Sequence, residues 1–307
     1  MQILITGGLG QIGSYLTEEL SKDDNYNITI IDNFSSSVKN MKVPEAVEVI
    51  QEDIRDQETV NKLVSKSDVI IHAAAQTSVE RSVNDPVFDA ENNILGTLNL
   101  LNAAKRCENS RFIYFSSAAA YGNPQYLPID EEHPTNPLSP YGLSKLTGEK
   151  YCTMFNELYD LPAVCIRPFN IYSSRQDPNN PYSGVISKFI ERVRNNESPM
   201  IFGDGSQTRD FVSVYDVVDF VSLTLESDEA IGKVFNVGTG VPTSIKELAE
   251  MIISLFEKDL EVVYASTKKG DIKDSYADIS KARKIEYWPK VALEEGLKEI
   301  LKTCKSQ

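Results

Sequence analysis

The first thirteen residues constrain the fold more than any other stretch of this chain. Gln2 to Thr6 (QILIT) is a short apolar run that leads into Gly7-Gly8-Leu9-Gly10-Gln11-Ile12-Gly13, and Ile12 to Leu20 then has helical spacing. A strand that ends on glycines and opens a helix is the first turn of a doubly wound α/β sheet. Absent side chains let the backbone approach a pyrophosphate, and the helix N-terminus attracts its charge. A glycine triplet alone is a weak signal. Its place after a strand, before a helix and at the chain start strengthens it.

The alternation continues. Ile28 to Ile31, Val47 to Gln51, Val69 to Ala75 (VIIHAAA), Arg111 to Phe115 (RFIYF) and Ala163 to Arg167 read as strands. Glu91 to Arg106 reads as a helix with Ile94, Leu98, Leu101 and Ala104 on one face, and Tyr141 to Tyr159 as a longer one. Strands this apolar, alternating with helices, imply a parallel sheet covered on both faces. From Pro168 the texture changes. Residues 173–184 (SSRQDPNNPYSG) have the composition of a binding loop, and Asp210 to Val214 and Val234 to Val237 look sheet-like. The expected fold is α/β: a Rossmann-type, doubly wound parallel sheet over 1–169, to which the chain returns at about 212–239. A smaller α/β substrate lobe is expected over 170–211 and 240–307.

The net charge of -14 argues against nucleic acid as a partner, because phosphates need a basic face. It argues equally against an anionic membrane surface, and no apolar run reaches the ~18 residues of a membrane span. With the first strand starting almost at Met1, no signal peptide is expected. The four cysteines (Cys107, Cys152, Cys165, Cys304) form no C-x-x-C pair. With His72 and His133 as the two histidines, they make no metal set. Reduced thiols in a cytoplasmic protein are the expectation.

Asp32 ends the second strand, 19 residues after Gly13. A carboxylate there would hold the adenosine ribose hydroxyls of a dinucleotide. No Lys or Arg follows until Lys39, so a 2′-phosphate would be repelled and NAD is favoured over NADP. The plainer alternative is a simple turn with a solvated Asp32. Asn33 continues that turn. Asp53-Ile54, after the third strand, would flank the adenine, although Asp53 also suits a helix start near Asp56. Ala73 and Ala74 would let the dinucleotide lie close; as core alanines they would look the same.

Tyr141-Gly142-Leu143-Ser144-Lys145 puts a phenol and an ammonium four residues apart on one helix face. Oxidising an alcohol with NAD needs a base. Bringing a phenol from pKa ~10 to ~7 takes ~4 kcal/mol. A nearby lysine cation and the nicotinamide charge can supply that. A second Y-x-x-x-K, Tyr264 to Lys268, lies far from the cofactor strands, so its tyrosine is read as structural. Tyr141 has the better context. Pro140 suits a first helical turn, and the fifth strand just before ends in Ser116-Ser117, where Ser117 can hydrogen-bond a reacting oxygen.

TGGLGQIG, Asp32, Asp53-Ile54, HAAAQTSV, NNILGT, FSSAAAYG, YGLSK, RPFN, GDGSQTRDFV and GDIKDSYAD occur in this order. Together they resemble the extended short-chain dehydrogenases/reductases, and within them the nucleotide-sugar 4-epimerases of the UDP-glucose 4-epimerase type, over nearly the whole chain. The resemblance implies Gln76 and Asn92 along the NAD and Phe169 near its nicotinamide, with Gly7, Gly10, Gln11, Ile12 and Gly13 at its phosphates. It implies a catalytic trio of Ser117, Tyr141 and Lys145, and Asn170, Arg209 and Asp271 on a UDP-sugar. Members of this superfamily that eliminate water carry an acid directly after the serine position, whereas here Ala118 and Ala119 follow. An isomerase that forms a transient 4-keto sugar is therefore expected.

Departures are few. Lys268 stands where an arginine is usual, three before Asp271, and lacks its bidentate fork. Ser173-Ser174 replace Gly-Pro. Four residues past Asp271 comes Ser275, where a bulky residue would narrow the sugar pocket; the small one implies that UDP-GlcNAc/UDP-GalNAc are accepted alongside UDP-glucose/UDP-galactose. A UDP-glucuronate 4-epimerase is the alternative, but sequence cannot place Arg81 or Arg175 on a C6 carboxylate. A non-catalytic NAD-binding protein is the other. The resemblance also implies a homodimer paired through the helices near 91–106 and 141–159.

Overall fold

A computed structural model describes residues 1–38, 41–107, 110–176, 184–267, 270 and 272–305, the last three by backbone only. In chain order the first half runs β1 (Gln2–Thr6), α1 (Gln11–Leu20), β2 (Asn27–Asp32), β3 (Glu48–Gln51), α2 (Gln57–Val64), β4 (Val69–His72), α3 (Val79–Asn84), α4 (Pro86–Ala90), α5 (Gly96–Ala104), β5 (Arg111–Phe115) and α6 (Pro140–Tyr159). Then come β6 (Ala163–Pro168), β7 (Asn170–Tyr172), α7 (Val185–Arg194), β8 (Met200–Phe202), β9 (Thr208–Ser213), α8 (Val214–Glu226), β10 (Val234–Val237), β11 (Pro242–Ser244), α9 (Ile245–Leu255), β12 (Val263–Ala265) and β13 (Asp274–Ser275).

The expected doubly wound sheet is present. Seven strands pair in the order β10-β6-β5-β4-β1-β2-β3, all parallel. The order reverses between β1 and β4, and that is where such sheets bind ligands, at the carboxyl ends of the strands. Alternate residues of β1 explain the layering. Ile3 and Ile5 face a core shared with Leu16 and Leu20 of α1 and Val217 and Val221 of α8. Leu4 faces the other, shared with Val60, Leu100 and Phe155. Each such side chain contributes about 1.5–3 kcal/mol when fully buried.

A separate cluster of Phe189, Ile190, Ile201, Phe211, Leu248 and Ile252 packs α7 and α9 against the smaller sheets. There β9 pairs with β7, β11 and β13, and β8 with β12. Buried Asp210 on β9 ties these parts together. Its carboxylate accepts from the Thr239 amide (2.8 Å) and hydroxyl (2.6 Å), the Gly240 amide (2.9 Å) and the Ala277 amide (3.1 Å).

Two expected elements differ. The fourth strand stops at His72, and Ala73 to Ala75 continue without strand pairing. The helix expected over 91–106 begins as a single π-turn, Glu91–Leu95, before α5.

Candidate functional site

The glycine loop is shaped by contacts that leave no room for side chains. Gly7 has φ +66°, and its amide donates to the Ile31 carbonyl at 2.8 Å. A Cβ on Gly13 would lie 2.0 Å from the Gly7 carbonyl oxygen, and one on Gly7 would lie 2.7 Å from the Ala74 Cα. Asp32 fixes the loop from the side. Its carboxylate accepts from the Leu9 amide (3.0 Å), the Phe34 amide (2.8 Å) and the Ser37 hydroxyl (3.2 Å). A carboxylate offers about four acceptor positions, so it can take one more donor.

A cleft of about 1590 Å³ opens over this loop. Gly7, Gly10, Gln11, Ile12, Gly13, Asp32, Asn33, Ile54, Ala73, Ala74, Gln76, Asn92, Ser117, Tyr141, Lys145 and Phe169 all line it. Asp53 does not. Burial works against its charge, but Arg55 and Asn33 hold the carboxyl down at about 2, and both its oxygens are engaged by them at 2.8–2.9 Å. Asp56 is the helix cap there, accepting from the Thr59 amide at 2.8 Å. Lys42 also lines the cleft, a cation that counting from Asp32 to Lys39 did not include.

The π-turn explains the wall opposite. π-turns inside helices often mark functional sites. Here Asn92 lines the cleft while the next residue, Asn93, is buried against α6. The Asn93 amide nitrogen donates to the Gln76 carbonyl (2.9 Å), Asp89 (3.1 Å) and the Ser144 hydroxyl (3.1 Å), and its oxygen accepts from the Gln76 amide (2.8 Å). Sequence reading placed Gln76 and Asn92 and missed Asn93 and Asp89.

Tyr141 and Lys145 sit in the first turns of α6. Ser139 caps the helix, accepting from the Gly142 amide at 3.1 Å, and Pro140 occupies the first position, where no amide hydrogen is needed. Gly142 lets α6 approach the turn Ala118–Ala120; a Cβ there would lie 2.6 Å from the Ala119 carbonyl. That contact sets Tyr141 beside Ser117. Burial pushes the Tyr141 phenol up, and a hydrogen bond with Ser117 opposes the rise. Lys145 is buried, its ammonium 4.8 Å from the centre of the Tyr114 ring, and desolvation brings it down to about 8. His72 is held neutral by burial beside Lys145, bonded to Thr6 (2.8 Å) and Thr97 (2.9 Å).

Behind the trio lies a buried ion pair that the sequence did not announce. The Arg167 guanidinium donates to both oxygens of Glu149 at 2.7 and 2.6 Å, and Ser116, next to Ser117, donates to the same carboxylate at 2.8 Å. Arg167 also stacks on Tyr121, 4.6 Å from the ring centre.

Residues 3–238 match the model of the NAD dependent epimerase/dehydratase family. The chain belongs to that family. It is 42% identical to a putative UDP-glucose 4-epimerase of Methanocaldococcus jannaschii, over 99% of this chain and 98% of that one. A UDP-N-acetylglucosamine 4-epimerase of Methanobrevibacter ruminantium, solved with UDP-N-acetylmuramic acid, superposes with TM-score 0.95 at 40% identity, covering 100% and 98%. The UDP-glucose 4-epimerase of Thermus thermophilus, solved with NAD, superposes with TM-score 0.90 at 33% identity, covering 99% of each chain.

NAD, the cofactor of this family, fits what is present. The bare glycine backbone, the start of α1 and a carboxylate with spare acceptor capacity line one cleft. On the far side, Ser173 to Arg175 run along α1. Gln11 donates to Ser173 (3.2 Å), Tyr15 bonds Ser174 (2.8 Å), and Arg175 pairs with Glu18 and lies over the Tyr15 ring. The two serines that depart from the family pattern thus both bond α1.

Of the other expected substrate residues, the described ones, Asn170, Arg209 and Ser275, do not line this cleft. Asn170 is exposed, between Phe169 and Ile171, which do line it. Arg209 and Ser275 are paired residues on β9 and β13. Arg209 donates to the Thr208 (2.7 Å) and Lys273 (3.3 Å) carbonyls. Nearby, a cavity of about 740 Å³ is lined by Phe202, Gln207, Ala265, Thr267, Lys273 and the Tyr264 that begins the second Y-x-x-x-K. Lys268 and Asp271 lie outside the described residues.

Proposed function

We propose that this chain is a UDP-sugar 4-epimerase that interconverts UDP-glucose and UDP-galactose, and UDP-GlcNAc and UDP-GalNAc alongside them. One observation carries the reading. A serine, tyrosine and lysine face the same cleft as the glycine loop, and the turn after that serine is three alanines. Nothing at Ala118 to Ala120 can protonate a departing hydroxyl, so oxidation at C4 has no elimination to follow it.

Gly7, Gly10, Gln11, Ile12, Gly13, Asp32 and Asn92 would hold NAD, with Ala73, Ala74 and Phe169 packed along it. When bound, NAD supplies the acceptor and returning donor for the C4 hydrogen and a positive ring that favours the phenolate. Ser117 orients the C4 oxygen. Tyr141 takes its proton, Lys145 stabilises the phenolate, and the phenol gives the proton back after the keto sugar turns over. Arg209 would meet the diphosphate, with the uracil in the neighbouring cavity and Ser275 leaving space for an N-acetyl group.

The test is incubation of the purified protein with a UDP-sugar panel and no added NAD. The expected result is C4 epimerisation of both the hexose and the N-acetylhexosamine pairs. A dehydrated product would overturn the epimerase reading, and silence on the N-acetyl pair would remove that substrate. A second reading, UDP-glucuronate, is favoured by Arg81, which lines the cleft and stacks 3.8 Å from the Phe88 ring centre. Turnover of the uronate alone would install it.

A homodimer is the proposed assembly. Val83 (60%), Val87 (66%), Leu95 (54%) and Leu158 (64%) are exposed on and around the helices expected to pair. A patch of large apolar side chains on adjacent helices suits a partner surface. Sedimentation is expected to give twice the 34.3 kDa chain mass, and Leu158→Glu to reduce it to one chain. A wild-type protein at 34.3 kDa would refute the assembly.

A further inference from the structure

We propose that Asp89 is a positioning residue for the proposed reaction: its buried carboxylate sets the charge balance of the Tyr141–Lys145 pair from behind. The inference rests on the reading of Tyr141 as the base. Asp89 belongs to α4, a five-residue helix, and is 1% exposed. Its Oδ1 accepts from the Gln76 side chain at 2.8 Å and from Asn93 at 3.1 Å. Asn93 reaches the Ser144 hydroxyl at 3.1 Å, and Ser144 donates to the Tyr141 carbonyl at 3.0 Å. The carboxylate is therefore wired to the turn of α6 that holds Tyr141 and Lys145, through neutral amides that orient it without neutralising it. Such an arrangement costs stability when the acid only fills space, because burying a charge without a cation is unfavourable.

His72 of β4 is kept neutral by burial and by Lys145. Tyr114 of β5 is pushed well above its usual range by burial, so it too is neutral. Cys165 of β6 is raised by its contact with Cys152 of α6 and by burial. Glu149 of α6 is matched by Arg167. Arg81 of α3 lies over Phe88 and opens onto the cleft. Among the described residues, Asp89 is the acid beside the pair that is held by neutral amides and forms no ion pair. It acts on both members in the same sense: it opposes the burial-driven fall of Lys145 and adds to the rise of Tyr141. Its use is to keep Lys145 charged in a site that desolvates it.

Removing a negative charge makes both neighbours release protons more readily. In Asp89→Asn, which keeps shape and an acceptor oxygen, both limbs of the kcat–pH profile should move to lower pH, by about one unit. A purely structural role would lower kcat and leave both limbs in place. A second readout needs neither substrate nor cofactor: the pH at which the Tyr141 phenolate absorbs, taken as the difference between each protein and its Tyr141→Phe counterpart. It should fall in Asp89→Asn. Asp89→Ser replaces it if the asparagine variant does not fold. Limbs and phenolate titration that stay put, or limbs that move apart, would overturn the proposal. A wild-type protein that epimerises no UDP-sugar would sink the functional reading instead, and the phenolate titration would still decide the role of Asp89.

Discussion

Replacing Tyr141 with phenylalanine is expected to lower kcat on the preferred UDP-sugar by about 10²–10⁴-fold while the protein still folds and retains its dinucleotide. The substitution removes one oxygen from a half-buried ring whose neighbours are otherwise kept. Phenylalanine fills the same volume, so the packing of α6 against the Ala118–Ala120 turn is undisturbed. What is lost is the proton acceptor and its bond to Ser117. The Ser117 hydroxyl, which accepts from the Ala119 amide at 3.1 Å, is left in place and can still orient the substrate oxygen. Turnover measured with UDP-glucose, together with the cofactor content of the purified variant, checks both halves. Full activity would refute the base assignment. Loss of activity together with loss of NAD would make Tyr141 a cofactor ligand first and a base second.

Legibility in the sequence followed the range of the physics. Strand, glycine turn and helix over the first twenty residues are local. Each depends on side-chain spacing within a few positions, and β1, α1 and Asp32 fall where spacing puts them. Tyr141 and Lys145 are legible for the same reason, as two residues one helical turn apart. The π-turn at Glu91–Leu95 is not, because its apolar spacing matches that of an α-helix while its hydrogen bonds do not. Glu149 and Arg167 are 18 residues apart, on a helix and a strand, and only the packing of α6 on β6 brings them together. Asp210 bonds Ala277 across 67 residues, which no window of sequence contains. On the substrate side, Arg209 was named by motif. Its place on β9, away from the main cleft, depends on the pairing with the two-residue strand β13, too short to carry a periodicity.

The buried pair behind the trio carries the largest expected effect on stability. Arg167 and Glu149 are 3% and 0% exposed, and two short bonds join them. Arg167→Leu would leave the Glu149 carboxylate buried with the Ser116 hydroxyl as its remaining side-chain donor among the described residues. Removing one partner of such a pair costs about 3–5 kcal/mol, a large share of the 5–15 kcal/mol typical of a whole domain. For a chain of this size the melting temperature should fall by roughly 10 °C. The exposed pair Lys22–Glu19 gives the contrast. Its bond is as short, 2.6 Å, but both side chains are about half in water, so Glu19→Gln should change stability by about 1 kcal/mol or less. The decisive comparison is the double variant Glu149→Leu/Arg167→Leu. If the cost of Arg167→Leu is an uncompensated charge, removing the charge as well should recover much of it. A double variant melting no higher than the single one would show that the loss is one of packing around Tyr121 and Ser116. Recovery of stability without recovery of kcat would then separate two roles of the pair: holding β6 to α6, and holding the strand end that carries Ser117 against Tyr141.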